Sequence, residues 1–390
     1  MVYVCGRDSA ELLIGAIMKK QPSSFVWIAV LACILLLSAG LLLLPKKEYS
    51  EQENRYLEHF PKLTLETITD GSFMQDFETY LCDHFPLRNA FMTVRTWYER
   101  LTGKNQVNGI YLCKDGYFIE EYAPPQNTEQ IISVFTRLEQ KIERADVAFL
   151  LVPTAVTVYA DKLPANTKNA SQTEEISRIY QALVSDTVDV TRALLEKKEE
   201  QQLYYRLDHH WTTYGAYVAY VEYCKVKGLT PLAMEQFQQV AVSEEFQGTI
   251  YSKLNDLLAG KDTITVFAQE DSHLTVNYMD TKEKTDTLYA PAYLETKDKY
   301  SYFLNNIHPM IEITNEDTDS EEVLVLIKDS YANCIVPFLV NHYQKIYVVD
   351  TRYYKSSVSA FINDNAEVTD VLVLYNMNTI DADLGIGGIY

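Results

Sequence analysis

Residues 322–334 read Glu-Val-Leu-Val-Leu-Ile-Lys-Asp-Ser-Tyr-Ala-Asn-Cys. The apolar run within 322–327 has the unbroken aliphatic character of a strand buried on both faces. It stops at Asp329-Ser330, and a helix-like stretch over 331–341 follows. Ser330 therefore falls on a strand-to-helix turn, where a hydroxyl can stand exposed as a nucleophile beside unpaired helix N–H groups. A plainer reading of the same residues is an N-cap, by Asp329 or Ser330, for the helix that follows.

Working outward, the pattern repeats. Residues 147–152, 345–349 and 371–374 are further apolar runs, and 189–190 lie near a short strand. Helical spacing appears over 130–144, 174–183, 213–227 (closed by Gly228) and 356–364. Alternating strands and helices predict an α/β fold, a parallel sheet flanked by helices. Residues 236–303 break the alternation. Short β-like stretches at 263–267, 274–278 and 287–289, parted by polar turns, predict a β-rich, antiparallel insertion.

Upstream of that insertion, residues 204–216 read Tyr-Tyr-Arg-Leu-Asp-His-His-Trp-Thr-Thr-Tyr-Gly-Ala. The chain has seven histidines, so two adjacent ones next to an aspartate are a concentrated signal. A carboxylate near an imidazole fixes its tautomer and supports its cation, which suits a general base. In an extended segment Asp208 and His210 share a side and His209 points away. A turn here would reopen the choice of histidine. The plainer reading is a loop satisfied beneath Trp211.

Other candidates surround these. Arg352, in Val-Val-Asp-Thr-Arg-Tyr-Tyr, follows the next strand and either binds ligand oxygens or pairs with Asp350. Tyr353 and Tyr354 offer aromatic faces on which a ligand could stack. Arg88 is a second cationic candidate. Tyr331 and His209, neighbours of the nucleophile and base, join Arg352 as substrate-binding candidates.

The net charge of −20 disfavours nucleic acid and anionic membrane surfaces as partners. The six cysteines show no metal-ligand spacing, and there is no Cys-x-x-Cys, His-Glu-x-x-His or Gly-rich phosphate loop. No metal, nucleotide or other cofactor is expected. Residues 25–45 run Phe-Val-Trp-Ile-Ala-Val-Leu-Ala-Cys-Ile-Leu-Leu-Leu-Ser-Ala-Gly-Leu-Leu-Leu-Leu-Pro without a charge. About 20 such residues span a bilayer as a helix. Lysines flank both ends, at 19–20 and 46–47, so charge bias alone orients the span poorly. A single early span before a long domain favours an uncleaved signal anchor over a cleaved signal peptide. That places 1–24 in the cytoplasm and the rest outside. Residues 46–127 then form a membrane-proximal segment. Asp70-Gly71-Ser72 caps a helix there, Pro86 ends it, a second helix covers 87–101, and turns at Asn108-Gly109 and Asp115-Gly116 bracket a short strand.

Asp208-His209-His210-Trp211 resembles the signature of the DHHW proteins of bacterial envelopes, which look like the SGNH-hydrolase-like domains of alginate O-acetylation proteins. Residues 50–55, 83–88, 108–111 and 152–154 are similar to that family too, so the resemblance spans about 48–380. It implies an SGNH-hydrolase-like domain over 128–390, with Asp208 and His210 early and a Gly-Asp-Ser-like nucleophile, Ser330, late. Lys328 stands where the glycine usually is. The related Gly-Gly-Asn-His pattern is altered here to Asn305-Asn306-Ile307-His308. Asn305 or Asn306 is then the candidate oxyanion donor, and His308 lines the cleft or turns the chain before Pro309. The implied activity is a Ser-His-Asp O-acetyltransferase or acetylesterase acting on an envelope or secreted polysaccharide. The alternative is a non-catalytic envelope protein that keeps the fold and binds glycan or protein partners.

Overall fold

The computed structural model describes residues 24–50, 55–269 and 273–390. They fall into two compact units, a smaller one ending at Met92 and a larger one running from Thr93 to Tyr390. The stretch read as membrane-proximal thus divides at Thr93. Residues 1–23, most of the segment read as cytoplasmic, lie outside the described residues.

In the smaller unit the helix Ser24–Leu43 carries no charged side chain, and its apolar surface is bare. It is long and apolar enough to cross a membrane. Further on, the Asp70 carboxylate accepts the Ser72 N–H at 2.9 Å and starts the helix Ser72–Asp83. Phe77 on that helix packs edge-on against Phe60 and stacks on Tyr80.

The larger unit is built on one eight-stranded sheet. Its strands in chain order are β1 (Asp146–Val152), β2 (Asp186–Thr187), β3 (Leu274–Tyr278), β4 (Lys284–Thr285), β5 (Met310–Asn315), β6 (Val323–Lys328), β7 (Lys345–Val349) and β8 (Asp370–Asn376). Across the sheet they run β4-β3-β5-β7-β6-β8-β1-β2. The five strands β7, β6, β8, β1 and β2 are parallel, with Leu324 of β6 opposite Ile346 of β7 and Asp370 of β8. Every residue of β6 and β8 is buried, which explains the apolar runs 323–327 and 371–375 within them.

The parallel sheet expected from the alternation carries an antiparallel edge. β5 pairs antiparallel with β7, and β3 and β4 continue antiparallel beyond it. Burial alternates along β3 and β5, as expected where one face of a strand is less covered. The insertion over 236–303 is therefore not a separate module, since β3 within it extends the main sheet. Its other part is a bulged antiparallel ribbon of Gln238–Phe246 and Asp262–Ala268. Residues 287–289 form no strand, only a bridge from Tyr289 to Phe303. The helix expected over 331–341 is broken into a 3-10 turn, Ser330–Cys334, and a short helix, Val336–Leu339. Pro337 has no N–H to continue the ladder.

β6 is central. The chain leaves it to β7 on one side and returns to β8 on the other. The carboxyl end of β6 is thus a topological switch point, the usual place for a site in an open α/β sheet.

Candidate active site

The β6 turn is held from below. Asp329, fully buried, accepts the Tyr331 N–H at 2.8 Å through Oδ1. Its Oδ2 accepts the Asn376 backbone and side-chain N–H groups at 2.8 and 2.6 Å. Burial pushes the Asp329 carboxyl up to about 6. Asp329 is the cap, so the Ser330 hydroxyl is free of that duty. Lys328, in the glycine's place, is buried and turns its ammonium to Asn333 Oδ1 at 2.7 Å and Asp350 at 3.6 Å.

The imidazole of His210 arrives from the loop before the helix Thr213–Lys227. This loop is bent rather than extended, the second of the two geometries left open by the sequence. The His210 N–H donates to Asp208 Oδ1 at 3.0 Å, an Asx turn that places the carboxylate under the ring two residues on. His210 Nδ1 then meets the same oxygen at 2.5 Å. His210 Nε2 meets Ser330 Oγ at 2.7 Å across 120 residues of sequence. A carboxylate only accepts, so Nδ1 carries the proton and Nε2 is left to accept from the serine hydroxyl.

Asp208 is fully satisfied. Thr249 donates to Oδ2 through its N–H at 2.8 Å and its hydroxyl at 3.0 Å. With that hydroxyl proton spent, His209 Nδ1–H donates to Thr249 Oγ1, at 2.5 Å. Burial opposes ionisation of Asp208, but the two imidazoles and these hydrogen bonds outweigh it and hold the carboxyl well below its usual range. Burial, then the neighbouring His209, push the His210 imidazole down to about 4, against the pull of Asp208. Gly248 is required beside them, because a methyl group there would overlap the Asp208 carboxylate.

Besides Gly248, two residues that the sequence did not mark complete the surroundings. Tyr300 stacks on the His210 ring, centroids 3.7 Å apart and planes 10° apart. Thr249, 41 residues from Asp208, is its anchor. Only a Gly-Thr pair after a polar stretch signals Thr249, and nothing local signals Tyr300.

The remaining candidates divide. Arg352 grips Asp350 through two bonds of 2.8 and 2.6 Å and lies near enough for its charge to act on His210. Tyr331 is wholly buried and donates to the His209 carbonyl, which leaves it no surface for substrate. His308 is buried with its nitrogens turned to Asp280 and the Asn305 carbonyl, at 2.8 and 2.9 Å, so it does not line the cleft. Asn306 is tied to Ser301 at 3.1 Å. Among the described contacts, neither Asn305 nor Asn306 meets Ser330 or His210. Asp208, His209 and His210 are grouped closely enough to hold a metal ion, yet the first and last already bond to each other.

A serine at a central strand end, an imidazole on its hydroxyl and a buried carboxylate behind form a Ser-His-Asp arrangement on an open α/β sheet. The DHHW protein model matches residues 112–349, and the chain belongs to that family. A DHHW family protein from Eubacterium siraeum superposes with TM-score 0.64 and 26% identity, over 72% of this chain and 95% of its own. Bacillus cereus PatB1, solved with a sulfonyl adduct, superposes with TM-score 0.59 and 21% identity, over 70% and 95%. The O-acetyltransferase domain of Pseudomonas putida AlgJ aligns with TM-score 0.43 and 16% identity, over 70% and 92%. No curated protein matches the chain in sequence.

Proposed function

We propose that the protein is a membrane-anchored, extracytoplasmic O-acetyltransferase or acetylesterase acting on an envelope or secreted polysaccharide. In this reading residues 25–45 are an uncleaved anchor, 1–24 are cytoplasmic and the catalytic domain, 128–390, faces outward. The carrying observation is the Ser330 Oγ–His210 Nε2 separation of 2.7 Å, with Asp208 behind the imidazole.

Ser330 Oγ attacks the carbonyl carbon of an acetyl ester while its proton passes to His210 Nε2. The tetrahedral intermediate collapses, and the leaving alcohol takes that proton from Nε2. The acetyl group stays on Ser330. A sugar hydroxyl or water then attacks the acetyl carbon as its proton passes to His210 Nε2, and the bond from that carbon to Ser330 Oγ breaks as Oγ takes the proton back. A sugar acceptor makes a transferase and water an esterase. Tyr353, partly exposed with the Arg352 guanidinium 5.7 Å from its ring centroid, supports a glycan beside the strand ends.

An arylsulfonyl fluoride tests the assignment. Attack by an activated serine forms one S–O bond and expels fluoride. Peptide mass spectrometry should find one label, on Ser330, and none on Ser330→Ala. A wild-type protein that takes no label overturns the reading.

The imidazole acts as a base only when neutral. A His210 pKa lowered to about 4 keeps it neutral at pH values where a free imidazole is charged. The kcat/KM for an activated acetate ester should therefore hold level from neutral pH down to roughly pH 5 and fall below that. A midpoint at or above the ordinary imidazole value would contradict the environment described for His210.

A further inference from the structure

We propose that Tyr300 is a positioning residue whose ring face steadies the imidazolium formed on His210, an inference that rests on the acyl-transfer reading above. The His210 ring lies between two others. Tyr300 is nearly parallel to it at 3.7 Å, and His209 is tilted by 36° at 3.9 Å. The imidazole is therefore clamped in one plane. The tyrosine hydroxyl reaches the Ser330 carbonyl oxygen at 3.2 Å, so the clamp is also registered to the nucleophile turn.

The geometry matters because of what His210 must become. Proton transfer from Ser330 turns a buried neutral ring into a cation. Of the groups acting on that ring, Asp208 favours the cation, whereas His209 and Arg352 disfavour it. Burial opposes it too. An aromatic face within about 6 Å attracts a cation through its quadrupole, and most strongly where water is excluded. Tyr300 is itself buried, and burial holds its phenol well above the ordinary range, so it stays neutral and keeps that face. The attraction is greater for the imidazolium than for the neutral ring, so it acts on the transition state more than on the resting enzyme.

The test separates electronics from shape. Tyr300 is replaced by phenylalanine and by its mono-, di- and trifluoro analogues, which keep the ring and progressively weaken its negative face. Two quantities are read: the sulfonylation rate of Ser330 and the His210 pKa by NMR titration. The expected result is a graded loss of rate, about tenfold from phenylalanine to the trifluoro ring, with His210 becoming harder to protonate along the series. Rates within twofold and an unchanged His210 pKa would reduce Tyr300 to packing and overturn the proposal. The pKa is measured without turnover, so the proposal stays decidable even if no variant reacts. Failure of the wild type to react with the probe bears instead on the acyl-transfer reading.

Discussion

Ser330→Ala and His210→Ala are each expected to lower turnover of 4-nitrophenyl acetate by about a thousandfold or more, with the double variant little worse than either single one. Nucleophile and base act as one unit, since the hydroxyl is useless without an acceptor for its proton. Ser330→Ala is the cleaner change. Asp329 caps the turn, so removing the Ser330 hydroxyl should shift stability by no more than about 1 kcal/mol. His210→Ala leaves Asp208 short of a donor and Tyr300 facing a void, so its fold must be checked by near-ultraviolet circular dichroism. Wild-type turnover in folded Ser330→Ala would exclude Ser330 as the nucleophile.

Gly248→Ala is expected to cost about a hundredfold in kcat while most of the fold survives. The added methyl group would occupy the space of the Asp208 carboxylate. The carboxylate must move, and with it the Nδ1 contact of 2.5 Å that aims His210. Displacement of about 1 Å at such a group is enough for a loss of that size. The result is checked by kcat on the same ester beside thermal unfolding. Unchanged kcat would mean that the placement of Asp208 does not govern the reaction.

Much of this was legible in order. Buried parallel strands advertise themselves through unbroken aliphatic runs, and β6, β7, β8 and β1 were all visible. Ser330, His210 and Asp208 could be named because chemistry-bearing residues sat at a strand end and in a dense Asp-His-His cluster. The antiparallel edge was misplaced because pairing between β3 and β5 is a long-range choice that neither strand's own pattern dictates. Thr249, Gly248 and Tyr300 escaped for the same reason. A threonine that braces a carboxylate, a glycine that makes room for it and a tyrosine that covers a ring look like any others until the chain has folded. Tyr331 was misjudged as a ligand contact because adjacency to Ser330 says nothing about direction, and its ring points inward.

That inward ring has its own consequence. The Trp211 indole N–H donates to the Tyr331 carbonyl at 2.8 Å, and the Tyr331 hydroxyl donates back to the His209 carbonyl. Two segments far apart in sequence are thus clasped in both directions, inside the core and away from any substrate. Neither can drift while the other stays. Random substitution would find the two positions tolerant only as a pair, and fraying of surface loops would leave the reacting atoms in register. On the proposed function, ester turnover and tertiary structure should be lost together on warming, so turnover would serve as a gauge of whether the domain is folded.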